Sequence, residues 1–227
     1  MPDSTRGVYT SPEYHPAFEE YCETIFELRE DGVEVIRARI AERLEVSRPA
    51  VSEMIKRMES EQLVLVEDGA VSLTEAGVAL ARTVVLRHRI AERFLTDVLG
   101  LSWADAHHEA GKWEHVISPK VEAALLTLLD NPTTCPHGNP IPGSEYTPPD
   151  QMPLVEVHVG ARFVVSRIPE ELEFRPGMLE FLEGAALVPG SAGVVTAQAS
   201  DGTVTVEVEG SVIGVGAFAS ERILVTS

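Results

Sequence analysis

Histidines and glutamates that could bind a metal ion are concentrated between residues 88 and 115. The stretch holds four of the seven histidines of the chain and three glutamates: His88, Glu92, His107, His108, Glu109, Glu114 and His115. On a helix, His88 and Glu92 share a face because they are four residues apart, and His107 and Glu114 nearly eclipse because they are seven apart. Imidazole and carboxylate groups that converge from two helices suit a divalent first-row metal ion. The alternative is an amphipathic helix that carries these residues on a solvated face.

Two signatures of zinc enzymes can be tested on the same stretch, and both fail. The pattern H-E-x-x-H starting at His108 would need a histidine at Lys112. The pattern H-x-x-E-H ending at His115 would need a histidine at Gly111. A hydrolase that builds its site on one helix is therefore disfavoured, and the chain offers no other nucleophile pattern or cofactor loop. We expect that it is not an enzyme.

Composition and charge predict a globular protein with one basic segment. The chain has 227 residues, of which 44% are hydrophobic, and no apolar run is long enough to cross a bilayer. Its amino terminus lacks the features of a signal peptide, so we expect a cytoplasmic protein with reduced cysteines. The net charge of −18 argues against nucleic acid as a partner. Residues 37–57, however, carry six basic side chains against three acidic ones, so a polyanion would bind there.

This basic segment has the pattern of a winged helix-turn-helix. Ser47 caps a second helix, and Pro49 lies in its first turn, where a missing N–H costs nothing. A hairpin around Glu67-Asp68-Gly69 supplies the wing. Small polar and basic residues on the outer face are typical of a helix that enters the major groove: Arg48, Ala50, Ser52, Glu53, Lys56 and Arg57. The alternative is a small helical packing module with a solvated basic face.

The remaining segments predict helices followed by a small β domain. Residues 17–30 form a first amphipathic helix, and a long helix follows the wing and ends near Gly100. The run VEAALLTLL is too apolar for water and predicts a subunit interface. Residues 136–153 contain six of the fifteen prolines and predict a semi-stiff, extended linker. The short β runs beyond it, VEVHV among them, predict a small barrel.

The chain resembles the diphtheria toxin repressor family, metal-activated transcriptional repressors that include iron and manganese regulators. The resemblance covers nearly the whole chain and is carried by RARIAERLEVSRPAVSEMIKRME, LRHRIAERFLTDVLGL, HEAGKWEHVIS and CPHGNPIPG. It implies a mainly α fold with a small β domain. The domains would be a winged helix-turn-helix at 1–83, a helical metal-binding and dimerisation domain at 84–147, and an SH3-like barrel at 148–227.

The resemblance also implies two metal sites in each subunit, for Mn²⁺ or Fe²⁺. The ancillary site of the family falls on His88, Glu92 and His107. Its primary site falls on the pair Glu114 and His115.

At the remaining ligand positions, the chain matches the family pattern in part and departs from it in part. The ligand on the first helix falls on Glu20, and Glu23 matches a carboxylate of manganese-type members. A cysteine or glutamate of the primary site falls on Gly111, which offers only a backbone carbonyl. The barrel ligands of some members fall near Arg175 and Met178, so a neighbouring carboxylate would have to substitute. The candidates for that substitution are Glu170, Glu171 and Glu173.

In the recognition helix, the usual glutamine of the family falls on Glu53 and a threonine falls on Ala50. Glutamate can accept a hydrogen bond from cytosine N4, so the operator preference would differ. The residues expected to approach bases are Ser47, Pro49, Ser52 and Glu53. The residues expected to meet phosphates are Arg37, Arg39, Arg48, Lys56 and Arg57.

Together these features predict a homodimeric repressor of metal-uptake or metal-homeostasis genes that binds a palindromic operator. Metal would order the first helix and so position the two recognition helices. The alternative is a winged-helix regulator that senses a small organic molecule, with the histidines structural. Equilibrium dialysis distinguishes them, because only the first requires metal loss on Glu114→Ala or His88→Ala.

Overall fold

The computed structural model describes residues 16–227, which divide into two compact units. The first unit ends at Val85, and the second runs from Leu86 to Ser227. Within the described range, no helix combines the length and the apolarity that a membrane crossing needs.

The first unit has three helices, a β hairpin and the start of a fourth helix. Their bounds are α1 Pro16–Glu30, α2 Arg37–Arg43, α3 Arg48–Ser60, β1 Val64–Glu67, β2 Ala70–Leu73 and the beginning of α4 Glu75–Arg93. The expected apolar stripe of α1 is buried in one core with α2, α3 and the hairpin: Phe18, Tyr21, Ile25 and Leu28. Antiparallel pairing of β1 with β2 confirms the predicted wing.

Helix α3 forms as its sequence predicts. The Ser47 hydroxyl accepts a hydrogen bond from the Ala50 backbone N–H at 3.3 Å, which satisfies one of the free donors at the helix start. Val51, Ile55 and Met58 have no exposed surface. The opposite face of the helix is therefore left to solvent.

The helical part of the second unit continues α4 and adds two shorter helices. A π-helical turn, Phe94–Val98, follows α4, and α5 Trp103–Trp113 and α6 Pro119–Leu128 come next. Ser102 and Ser118 cap α5 and α6 through their hydroxyls. On and before α6, large apolar side chains are exposed: Val116, Val121 and Leu128. This surface is where the sequence predicts a subunit interface.

The predicted extended linker is wrong at its beginning. Cys135, His137 and Asn139 have no exposed surface, and Ile141 is buried as well. The Asn139 side-chain amide donates to the Ile168 carbonyl at 2.9 Å, and the backbone N–H of Ile168 donates to the His137 carbonyl at 2.8 Å. Prolines here stiffen a buried loop, whereas the exposed run is confined to residues 147–150.

A six-stranded antiparallel sheet with short helices completes the second unit. The strands are β3 Met152–Pro153, β4 Arg162–Arg167, β5 Ala192–Gln198, β6 Val204–Val208, β7 Ser211–Val215 and β8 Leu224–Thr226. The strand order is β3-β8-β4-β5-β6-β7. The helices are α7 Glu170–Glu173, α8 Met178–Gly184 and α9 Ala217–Ser220. The run VEVHV, predicted as a strand, instead forms a 3₁₀ turn followed by a bend, and β7 was not predicted.

Trp103 joins the helices to this sheet. It lies at the start of α5 but packs in the sheet's core, with Leu154, Phe163 and Leu179. Its backbone N–H lies 3.2 Å from a Glu183 carboxylate oxygen at the end of α8. The helical part and the sheet of the second unit therefore share one apolar core.

Replacing Gly77 by alanine is expected to destabilise the protein by roughly 1–3 kcal/mol. A Cβ at Gly77 would lie 2.1 Å from the Leu63 carbonyl oxygen, so backbone would have to move. The matched control is Gly111→Ala in α5, where a Cβ meets nothing within 4 Å. That change should stabilise the helix by about 1 kcal/mol. Urea unfolding of both variants measures the difference, and an unchanged or raised stability of Gly77→Ala contradicts the prediction.

Candidate metal centre

Helices α4 and α5 bring three of the sequence-predicted ligands together. Helix α4 presents His88 and Glu92 on one face, and α5 presents His107 opposite them. The Nε2 of His88 lies 3.1 Å from Glu92 Oε1 and 3.3 Å from His107 Nδ1. The same Glu92 oxygen lies 3.0 Å from His107 Nδ1. Potential ligand atoms of the three residues thus lie within 4.8 Å of one another.

Two further segments add residues to the cluster, of which the sequence interpretation named only the α7 carboxylates, as possible substitutes for the barrel ligands. The buried loop contributes Cys135 and His137, which form a second possible ligand group with Glu92. Helix α7 contributes Glu173, whose Oε2 lies 2.9 Å from His137 Nδ1 and 3.2 Å from His107 Nδ1. Of the three α7 carboxylates considered as substitutes, Glu171 instead pairs with Arg222, at 2.8 Å. Glu173 and Glu170 are therefore the α7 carboxylates near the imidazoles, and together with His107 they form a further possible ligand group.

An unpartnered buried oxygen among imidazoles shows that these residues fit a cation. Within the described chain, Glu92 Oε2 is buried without a hydrogen-bond partner, and Glu173 Oε2 and the ring of His137 are buried against each other beside the other imidazoles. The Nδ1 of His137 lies 2.9 Å from Glu173 Oε2, so an imidazole and a carboxylate share this buried space. Buried polar atoms are otherwise almost always hydrogen-bonded. A divalent ion would be satisfied by the carboxylate oxygens and by one ring nitrogen of each histidine, whose other nitrogen would carry the proton.

The pKa values of the cluster are shifted so that its histidines favour the protonated form and two of its glutamates favour the ionised form. Burial lowers the pKa of His107, but hydrogen bonds to Glu173 and Glu92 outweigh burial and raise it to about 9. Burial raises the pKa of Glu173, but the neighbouring His137 and the bond to His107 bring it to about 2. For Glu92, the effect of burial is likewise outweighed by His137 and His88, so its pKa falls well below the usual value. Positive charge, from protons or from a metal ion, must therefore accompany these carboxylates.

His88 connects this cluster to the other predicted ligand pair. Its Nδ1 lies 2.5 Å from Glu114 Oε2, and Glu114 Oε1 lies 3.1 Å from His115 Nε2. A carboxylate at the second nitrogen of a ligating imidazole fixes the tautomer and the ring orientation. Gly111 is exposed on α5 and contributes no side chain. In the first unit, Glu23 is buried on α1 and Glu20 is exposed.

Most of the residues predicted to bind DNA lie on the exposed surface of the first unit. Exposed are Arg39, Ser47, Arg48, Pro49, Ala50, Glu53, Lys56 and Arg57, whereas Arg37 and Ser52 are half-buried. The Ser52 hydroxyl donates to the Arg48 carbonyl at 3.0 Å. Arg39 pairs with Glu42 at 3.0 Å on the surface. The Arg57 guanidinium lies 5.5 Å from the centre of the Phe18 ring, so α1 packs beside one of the basic groups of α3.

The sequence offered one signal for the residues that were missed. Cys135 and His137 are separated by a single proline, and Cys-x-His places two donor side chains within reach of one ion. Glu173 had no comparable signal, because nothing in the local spacing of α7 distinguishes it from Glu170 or Glu171. His107 and Glu173 also line a pocket beside the cluster.

Three protein-family models match almost all of the chain. The N-terminal DNA-binding domain of iron-dependent repressors matches residues 14–69. The metal-binding and dimerisation domain of the same repressors matches residues 74–143. The FeoA domain, an SH3-like fold, matches residues 152–227.

Characterised relatives agree with these matches. The chain is 51% identical over 143 residues to the iron-dependent repressor IdeR of Mycobacterium tuberculosis, which covers 63% of this chain and 58% of the relative. It is 50% identical over 126 residues to the diphtheria toxin repressor of Corynebacterium diphtheriae, covering 55% of this chain and 56% of the relative. The chain thus spans less than two thirds of the length of these relatives.

Solved structures extend the likeness over the second unit. A manganese-dependent transcriptional repressor in complex with manganese has a TM-score of 0.82 and 31% identity, with 92% of this chain and 99% of that chain covered. The IdeR of T. acidophilum has a TM-score of 0.73 and 26% identity, with 96% and 99% covered. The family models that match residues 14–69 and 74–143 are both those of iron-dependent repressors, a class of DNA-binding regulators. The chain belongs to the iron-dependent repressor family, which includes the diphtheria toxin repressor.

Replacing His137 by glutamine is expected to weaken Mn²⁺ or Co²⁺ binding at this cluster roughly 10- to 100-fold, the usual cost of disturbing a metal's ligand shell. Glutamine keeps a polar side chain but removes the imidazole that faces Glu92 and Glu173. The matched control is His158→Gln, because His158 is exposed on the sheet domain. Isothermal titration measures both, and equal affinities for the two variants would remove His137 from the site.

Proposed function

We propose that this chain is a homodimeric repressor of metal-uptake or metal-homeostasis genes, activated by Mn²⁺ or Fe²⁺. Family membership supports the class of function, and the cluster around Glu92 supports a resident metal ion. The observation that carries the proposal is a fully buried carboxylate that three imidazoles approach from three chain segments. The protein would act in the cytoplasm, where operator DNA is accessible.

The donor set favours metal ions that accept both oxygen and nitrogen. His88, His107 and His137 offer imidazole nitrogens, and Glu92 and Glu173 offer carboxylate oxygens, a combination that suits Mn²⁺ and Fe²⁺. The Cys135 thiol beside them would favour Fe²⁺ over Mn²⁺ if it became a ligand, because thiolate is the softer donor. These residues would hold the ion by Coulomb attraction and lone-pair donation, and their burial would strengthen the Coulomb attraction.

A second centre remains a prediction from the sequence. It would combine Glu114 and His115 with Glu20 and Glu23 of α1, and Gly111 could offer only its carbonyl. An ion that holds α1 would bias the conformational ensemble toward the arrangement that fits DNA, since a ligand shifts an equilibrium by its differential affinity. Apolar exposure at Val116 and Leu128 supports the assignment of α6 to the subunit interface.

Mn²⁺ is expected to raise the affinity for a palindromic operator by roughly 5- to 150-fold, the usual range of coupling between two sites. Glu92→Gln should lose this gain, because the neutral amide cannot compensate a divalent ion. Glu109→Gln is the control, since Glu109 is surface-exposed and pairs with Lys112. Fluorescence anisotropy of a labelled duplex, with Mn²⁺ or with chelator, gives the affinities. A wild-type protein that binds equally well with chelator would refute metal activation.

Two substitutions on α3 should separate phosphate contact from base reading. Lys56→Ala is expected to reduce the salt slope of binding, the change in log K per unit of log salt, by about one. Glu53→Gln should leave that slope unchanged and alter the preference at one base pair by about 1–3 kcal/mol. Each variant controls for the other. Measurements across a salt series on operator variants test both, and a changed slope for Glu53→Gln alone would reverse the two assignments.

A further inference from the structure

Arg89 is a charged side chain with no exposed surface, next to His88 on α4. Its Nη2 and Nε donate to Glu170 Oε1 at 2.9 and 3.3 Å, and its Nη1 donates to the Pro140 carbonyl at 2.5 Å. Burial of a guanidinium is costly unless its donors are matched. One side chain of α4 therefore binds both the buried loop 134–141 and helix α7.

These two partners belong to the segments that complete the candidate centre. The loop supplies Cys135 and His137, and α7 supplies Glu173 together with Glu170, which forms a possible ligand group with Glu173 and His107. Helix α7 has only four residues, and a helix of that length does not hold its own conformation. Glu170 and Glu173 are three residues apart and lie on one face. Holding Glu170 therefore holds the short helix that carries Glu173.

We propose that Arg89 is a positioning residue for the metal centre, acting through Glu170 on Glu173 and through Pro140 on the loop of His137. Arg89 does not contact the ion. It holds Glu170 of α7 and the Pro140 carbonyl of the loop, and so keeps the segments that carry Glu173 and His137 beside Glu92. This inference rests on the proposed metal site and adds to it the residue that ties the sheet domain to that site.

The chain contains a matched pair for comparison. Arg222 binds Glu171 of the same helix with two nitrogens, at 2.8 and 3.4 Å. That pair is about a quarter exposed, and Glu171 belongs to none of the possible ligand groups. If α7 needed only an ion pair to stay folded, loss of the Arg89–Glu170 pair and loss of the Arg222–Glu171 pair would have similar effects on metal binding.

The test is Co²⁺ and Mn²⁺ titration of Arg89→Lys and Arg222→Lys, each in a His115→Ala background that weakens the second predicted centre. Lysine keeps the charge but not the planar fork. We expect Arg89→Lys to weaken metal binding roughly 10- to 100-fold and to alter the Co²⁺ ligand-field spectrum. Arg222→Lys should change neither. Thermal unfolding of the metal-free variants checks that both are folded.

A double-mutant cycle makes the route through Glu173 falsifiable. Added to Glu173→Gln, Arg89→Lys should cost much less affinity than it does alone, because residues that act through one another are not additive. Full additivity, or an unchanged affinity and spectrum for Arg89→Lys, overturns the proposal. Failure of the parent protein to bind either metal would instead overturn the proposed function, and the positioning role with it.

Discussion

The packing of the helices and the loop in the second unit depends on one carboxylate that has no contact with solvent. Glu92 has no exposed surface, and an isolated buried charge of this kind is strongly unfavourable. Its compensation comes from imidazoles of three separate segments, His88 on the same helix, His107 on α5 and His137 on the buried loop. The requirement to surround this one group therefore brings α4, α5 and the loop together, and Glu173 places α7 in the same cluster. A cation that binds there replaces protons as the compensating charge.

Such a cluster links metal affinity to the folding of the sheet domain. Trp103 of α5 packs in the core of the sheet and lies against His137, with ring centres 4.5 Å apart and the planes nearly perpendicular. Asn139 accepts from Arg167 of β4 and donates to Glu173 at 2.7 Å. The ligand side chains are thus oriented by groups that belong to the packed sheet. Supporting contacts of this kind set the affinity of a metal site nearly as much as the ligands do.

Local periodicity predicted the helices and the part of the site that depends on them. The spacing of His88 and Glu92 requires only one helix, and the cap at Ser47 with the apolar stripe of α3 requires only one helix start. The sites of Cys135 and Glu173 depend on contacts between segments far apart in sequence, which spacing cannot supply. Proline content led to the linker prediction at 136–141, because composition does not distinguish a stiff exposed chain from a stiff buried loop. The resemblance to the family located the helical ligands but left three α7 carboxylates as alternatives, since residues there depart from the family pattern.

His88 has a further consequence for any second ion. One of its nitrogens faces Glu92 and His107, and the other lies 2.5 Å from Glu114. When Nε2 binds a cation, Nδ1 must carry the proton and donate it to Glu114, which leaves that carboxylate fewer lone pairs for another metal. An ion bound at Glu114 and His115 would in turn weaken this hydrogen bond and lower the basicity of His88 as a ligand. Because binding couplings are reciprocal, the occupancy of each centre would change the affinity of the other by the same factor. The imidazole of His88 is therefore a direct physical link between the two groups of ligands in this unit.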